Sequence, residues 1–226
     1  MSGANTLWLR CVVRSRVGPK QNHIMETFRY TVALLLVLLV PAVFVYWLLL
    51  HTLLPAWRRL GVGRSQVVLW LSFLAAAVLV SFWRGALLWS DYGFNPLTTS
   101  AGVICLAAAA VFRLQIERFF PWRAQAGLPE IDPARYSQKL VTEGPYAHSR
   151  NPRYVQVLLA LLGWALLANY AAGYFFALLW VPLAWVVVTL EERELHHRFG
   201  SEYEGYCARV SRFWPHPAAV NHRVKA

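Results

Sequence analysis

The sequence predicts an all-α, polytopic integral membrane protein of about five transmembrane helices, ending in a helical hairpin. Three observations lead there. Of 226 residues, 58% are hydrophobic and only 15% charged, where a soluble domain carries about 25% charged residues. Several apolar runs reach the roughly 20 residues that cross a bilayer as a helix. The last run, 155–190, is too long for one crossing: at 1.5 Å per residue it would measure on the order of 54 Å, against a hydrocarbon core of about 30 Å.

The elements follow in chain order. Thr31 to Leu54 is one apolar run, interrupted by Pro41 and His51. Val67 to Trp89 is the second, with Arg84 near its end, where a long side chain snorkels to the interface. Thr98 to Phe112 is Ala-rich and short, and spans only with its flanks. Val155 to Leu190 carries Asn169-Tyr170 and Gly173 at its middle, which points to a tight turn and two short helices. The chain thus divides into a basic extension at 1–24, three helices at 25–113 that shape a lipid cavity, and a catalytic half at 114–226.

Charge placement sets the expected orientation. The net charge is +11, from 22 Lys+Arg against 11 Asp+Glu, nearly all the cations being arginine. They fall between and after apolar spans, as at an anionic cytoplasmic leaflet, which excludes nucleic acid as the partner. The 55–65 loop holds Arg58, Arg59 and Arg64 without an acid, whereas 90–97 holds only Asp91. With 55–65 cytoplasmic, five spans put the C-terminus in the cytoplasm and the N-terminus outside. Arg10, Arg14, Arg16 and Lys20 oppose that placement. The expectation is therefore that translation starts at Met25, or that the first 24 residues form a dispensable leader, which N-terminal sequencing tests. That segment lacks the apolar core of a signal peptide. Cys11, Cys105 and Cys207 form no CxxC pair, so no disulfide framework or zinc site is indicated.

Polar chemistry concentrates after residue 113. Gly144-Pro145 breaks a helix, and Asn151-Pro152 reads as an extended residue followed by the first residue of a new one. A helix N-terminus beside Arg150 and Arg153 suits an anionic group; the same pattern also serves as an interfacial entry whose arginines touch lipid phosphates. At the far end of the hairpin Glu191 and Glu192 sit at the membrane boundary. A short turn returns the second helix beside the first, so these carboxylates must lie near Arg150 to Tyr154. Glu194 and His197 share a helix face as Glu-x-x-His, but no second such pair exists, so no metal is expected. There is no GxSxG elbow, Walker loop or strand–GxGxxG–helix unit.

Together, Gly144-Pro145-Tyr146, Arg150-Asn151-Pro152-x-Tyr154, the hairpin, Glu191-Glu192 and Phe199-Gly200-x-x-Tyr203-x-x-Tyr206 with Arg212 and Pro215 resemble the isoprenylcysteine carboxyl methyltransferase family and its bacterial and phospholipid-methylating relatives. The resemblance covers about 135–216. It implies a membrane enzyme that uses S-adenosylmethionine without a Rossmann domain. By that resemblance Tyr146, His148, Arg150, Asn151, Pro152 and Tyr154 line one side of the cofactor pocket, with Glu191 and Glu192 closing the other. Asn151 stands where the family carries His; it can hydrogen-bond but not take a charge. A carboxylate acceptor is already ionised at pH 7 and needs a cation to hold it, for which Arg150 and Arg212 are the candidates. An amine acceptor needs a base, with Glu192 or His197 nearest. Tyr203 and Tyr206 suit either the pocket or interfacial anchoring. The expected partners are membrane lipids and a lipophilic acceptor: prenylcysteine, an isoprenoid acid, a phospholipid amine or a thiol. Rival readings are an NADPH-dependent sterol-type reductase and a non-enzymatic membrane scaffold. Low Lys usage points to a bacterial cytoplasmic membrane. Oligomeric state has no signature in the sequence.

Overall fold

A computed structural model describes residues 19–120, 127–136 and 139–213. Most of the expected 1–24 leader, residues 1–18, lies outside them. Among the described residues the chain is helical, with no strand beyond one isolated bridge. Helix α1 (Pro19–Thr52) is followed by a short α2 (Leu54–Leu60), then α3 (Val62–Ser81) and a single turn, α4 (Arg84–Leu87). Next come α5 (Pro96–Glu117), a further turn α6 (Leu128–Ile131), a 3-10 turn at Gly144–Ala147, α7 (Pro152–Ala168), α8 (Ala171–Phe199) and α9 (Ser201–Arg209). Four helices are long and apolar enough to cross a membrane, and α7 is a shorter apolar fifth. The all-α, five-span architecture is borne out.

The hairpin turn falls where the composition placed it. Asn169 ends α7 in the left-handed region (φ 55°), a conformation Asn tolerates better than other side-chain-bearing residues. Its amide donates to the Gly93 carbonyl at 2.8 Å, and its side-chain oxygen accepts from the Tyr174 hydroxyl at 2.8 Å. The 90–95 connection is held to this turn by Tyr92 N–H to Asn169 O (3.1 Å) and Ala171 N–H to Ser90 O (3.0 Å). Arg29 locks α1 to the same end: its Nε donates to Ala168 O at 2.9 Å and its Nη2 pairs with Asp91.

Three boundaries differ from the expected ones. The 55–65 loop is mostly helical, because Pro55 starts α2 and Gly61 (φ 77°) supplies the reversal into α3, which already contains Arg64. The second span starts at Val62 and stops at Ser81; Arg84 opens α4 and donates back to Ser81 O at 3.1 Å. Hydropathy alone does not mark the second break, because apolar residues continue from Phe82 to Trp89 around Arg84. The third span runs 22 residues, from the Asn95 cap to Glu117, past its apolar window. Arg113 and Glu117 pair at 2.6 Å one turn apart and carry the helix out of the apolar zone.

Packing centres on α1, α7 and α8. Val37, Val40, Phe176, Trp180 and Val188 form the main buried cluster with Tyr154 at its edge. Helices α5 and α7 approach through glycine: a Cβ on Gly102 would lie 2.8 Å from the Gly163 carbonyl oxygen, and one on Gly163 2.8 Å from Leu106 Cγ. That close contact fixes where α7 begins, and so where its N-terminal residues face.

Candidate active site

At the end of the bundle opposite the hairpin turn, α8 delivers Glu191 and Glu192 on successive residues, about 100° apart around the helix. They are therefore served by different partners. Glu191 takes Arg153 at 3.1 and 3.3 Å and the Tyr154 hydroxyl at 2.7 Å. Glu192, 7% exposed, takes Arg212 Nε at 3.0 Å and Nη2 at 2.6 Å, Asn151 Nδ2 at 3.1 Å and Arg150 Nη2 at 3.2 Å. Helix α7 places its partners by register: Arg153 and Tyr154 turn to Glu191, while Asn151, just before Pro152, reaches Glu192.

The segment after α9 closes over this centre. Arg150 N–H donates to Ser211 O at 2.9 Å and Asn151 N–H to Arg212 O at 3.1 Å, so Arg212 returns to the start of α7. The Arg212 guanidinium also lies 4.7 Å above the Trp185 ring. The Tyr206 hydroxyl donates to Tyr146 O at 2.6 Å, tying α9 to the 3-10 turn. Tyr203 and Tyr206 are buried at 1% and 3% exposure, which decides for the pocket over interfacial anchoring. Burial raises the pKa of both hydroxyls, and pushes that of Tyr146 up to about 12, so all three stay protonated donors at neutral pH.

A pocket opens among these groups. Tyr146, Arg150, Asn151, Tyr154 and Glu191 line it, as the motif implied, with Tyr203 and Tyr206 from α9. Glu192 and Arg212 stand behind Arg150 and Asn151 rather than on the wall itself. His148 and Pro152 line a separate cavity of about 650 Å³, with Arg118 and Phe119. In this state the pocket holds about 60 Å³ of free space, against roughly 300 Å³ or more in typical small-molecule sites. Long side chains on its wall, Lys139 and Arg198 among them, must therefore shift for a larger ligand to enter. A third cavity, about 290 Å³, runs between α1 and the hairpin over Val40, Val43, Val157 and Trp180, and ends at Arg113, Arg153 and Tyr154. Arg153 and Tyr154 are thus common to the polar pocket and the apolar cleft.

Two residues outside the motif belong to this site. Arg153 is 9% exposed and sits over the Trp47 ring at 4.7 Å, the Tyr154 ring at 4.9 Å and the Phe120 ring at 5.7 Å. Its signal was its place in the first turn of the helix that Asn151-Pro152 starts. Glu130 lines the pocket from α6, with burial and then the Glu191 charge raising its carboxyl pKa to about 7. Only an acid between Pro129 and Ile131 in a basic segment marked it in the sequence. Glu194 pairs with Arg58 at 2.6 Å, so the Glu-x-x-His carboxylate serves to join α2 to α8. Among the described residues no three His, Cys, Asp or Glu side chains converge as a metal site.

Comparison with known proteins gives two matches. Residues 97–202 match the sequence model of the phospholipid methyltransferase family, from the start of α5 through the Glu191-Glu192 pair into α9. The cobalt-zinc-cadmium resistance protein CzcN of Cupriavidus metallidurans is 29% identical over 159 residues, 70% of this chain and 64% of that protein. The chain thus spans less than two thirds of the length of that curated relative. No solved structure matches. The matched stretch 97–202 positions Arg150, Asn151, Arg153, Glu191 and Glu192, and the family it matches is akin to the isoprenylcysteine carboxyl methyltransferases that the motifs resemble.

Proposed function

We propose that the chain is an integral membrane methyltransferase that takes its methyl group from S-adenosylmethionine and acts on a lipophilic carboxylate, such as isoprenylcysteine or a small isoprenoid acid. The observation that carries this reading is the meeting of two cavities at Arg153 and Tyr154, inside the methyltransferase family segment. One is polar and lies beside the paired carboxylates. The other is apolar and runs along α1 toward the bilayer.

The polar pocket fits the methyl donor chemically. A zwitterionic ligand with an aromatic base needs an acceptor, a donor and flat apolar walls. The pocket has a buried Glu130 Oε2 and a buried Arg150 Nε without partners among the described residues, and the rings of Phe120, Tyr146, Tyr203 and Tyr206. When bound, S-adenosylmethionine supplies a methyl group on a sulfonium, and transfer to a carboxylate neutralises charge, which a poorly hydrated site favours. The chain's residues supply position and exclude water. Arg150, Asn151 and Arg212 fix Glu192; Arg153 and Tyr154 fix Glu191; Trp47 and Phe120 hold Arg153 in place. An acceptor carboxylate needs no base, only a guanidinium at the inner end of the apolar cleft, and Arg153 stands there beside Arg113. This extends the sequence-based choice of Arg150 and Arg212: those two pair with Glu192 away from the cleft, whereas Arg153, though paired with Glu191, lines the cleft itself.

On this reading the site end faces the cytoplasm of a bacterial cell; Arg58, Arg59 and Arg64 at that end and Asp91 at the other support it. The test is methyl incorporation from labelled S-adenosylmethionine into a lipid extract by the full chain in nanodiscs. A carboxylate acceptor gives a methyl ester, whose label is released as methanol by mild base. Base-stable label would move the acceptor to an amine or thiol, and no incorporation across lipid classes would overturn the reading.

A further inference from the structure

We infer that Glu130 forms a cation-accepting subsite at the α6 end of the pocket, where its carboxylate receives the ammonium group of the bound methyl donor. This rests on the S-adenosylmethionine reading above. The resemblance implied that Glu191 and Glu192 receive the cofactor, yet both carboxylates are already engaged. Glu191 is held by the Arg153 guanidinium and the Tyr154 hydroxyl. Glu192 is held by Arg212, Arg150 and Asn151. A carboxylate has about four acceptor positions: those of Glu192 are filled, and a new cation at Glu191 would share a charge that Arg153 already neutralises.

Glu130 is the acid on the pocket wall that keeps an open oxygen. It is 9% exposed, and its Oε2 is buried without a donor among the described residues. Arg58 reaches it only at the backbone, Nε to the Glu130 carbonyl at 3.1 Å. The carboxyl is held in place by its neighbours. Gly127 starts α6 in the left-handed region (φ 76°), where a Cβ would lie 2.4 Å from Leu50 Cδ2, and Ile131 packs with Tyr46, Leu50 and Trp57. Pro129 and Ile131 are both buried, which holds the Glu130 backbone against the bundle.

The charged groups that face it are Glu191 and Arg198 from α8 and Arg153 from α7, with the Tyr46 hydroxyl from α1; Arg198 is the cation on this wall that an incoming ammonium would have to share the carboxylate with. Arg153 is committed to Glu191. An ammonium, compact and with three donors, suits a single open carboxylate oxygen. Its arrival expels the proton from Glu130, whose pKa burial raises to about 7.

The experiment is a titration of the full chain in lipid nanodiscs with S-adenosylmethionine and with its desamino analogue, for wild type, Glu130→Gln and Glu130→Asp. Glu130→Gln should weaken S-adenosylmethionine at least tenfold, about 1.4 kcal/mol, and leave the desamino analogue within about twofold. Glu130→Asp, which keeps the charge, should keep the preference for the amino form. Wild-type affinity should fall by up to tenfold per pH unit below about pH 7, and stay flat in Glu130→Gln. If Glu130→Gln binds S-adenosylmethionine like wild type, or weakens both ligands alike, the Glu130 inference is wrong while the methyl-donor reading stands. If wild type binds neither ligand, the reading itself fails and the inference with it.

Discussion

Replacing Glu192 with alanine removes the carboxylate that four donors share, and the size of the loss follows from who is left behind. Its side chain is 9% exposed, and those of Arg150 and Arg212 are 14% and 28% exposed. Deleting one partner of a buried ion pair costs about 3–5 kcal/mol, because the remaining charge keeps its desolvation penalty. Arg212 recovers some hydration, so the lower end applies, about 3 kcal/mol. By the scaling of domains this long, that is a fall in Tm of roughly 6–12 °C. The comparator is Glu194→Ala, which breaks the pair with the half-exposed Arg58 and should cost less than about 1 kcal/mol. Thermal unfolding of both variants in one detergent, followed by tryptophan fluorescence, makes the comparison, since Trp185 lies under Arg212. Equal Tm values for the two variants, or a Glu192→Ala loss below about 1 kcal/mol, would refute the claim that Glu192 organises the site.

Three further outcomes are expected. Gly163→Ala should cost about 1–3 kcal/mol by forcing α5 away from α7, whereas Gly205→Ala, with open space around it in α9, should gain about 0.5–1 kcal/mol; chemical denaturation of each in mixed micelles reads the difference. Arg29→Ala should accelerate hydrogen–deuterium exchange at 90–93 and 169–171 while leaving donor affinity unchanged, and a change confined to the Glu191–Glu192 end would contradict the division of labour between the two ends. Glu130 binds its proton more tightly folded (pKa about 7) than at its ordinary 4.5, so the folded state holds more protons between those values and stability falls as pH rises through them. Wild type should lose on the order of 3 kcal/mol relative to Glu130→Gln across that window; parallel pH–stability curves would argue against a buried, unpaired carboxyl.

The number of spans was legible because bilayer thickness sets a length that apolar runs must meet, and 155–190 was too long for one crossing. The turn was legible because Asn169 can take a left-handed conformation inside an apolar run. From that turn it followed that Glu191 and Glu192 return beside Arg150–Tyr154, and the ion pairs bear it out. What hydropathy could not show was which way each side chain at the start of α7 points. His148 and Pro152 fall on one cavity and Arg153 and Tyr154 on another, although the motif positions between 146 and 154 are undifferentiated as a linear string. Arg153 was legible as a cation at the start of α7, but its seat among the rings of Trp47 and Phe120 was not, because both come from far earlier in the chain. Glu130 was hidden because nothing local distinguishes a buried acid from a solvated one. Nor could the sequence show that a loop as basic as 55–65 would fold into α2, where Arg58 meets Glu194 from 136 positions away.

The central claim is that the pocket between Tyr146, Arg150 and Glu191 holds a methyl donor. Isothermal titration of S-adenosylmethionine into the full chain in nanodiscs tests it most directly, with Arg150→Ala beside wild type. Arg150 lines the pocket and carries a buried Nε without a partner among the described residues. The account predicts one saturable site in wild type, weakened about tenfold by the substitution, or about 1.4 kcal/mol. Saturable binding that Arg150→Ala leaves untouched would put the donor elsewhere, and absence of binding in wild type would contradict the account.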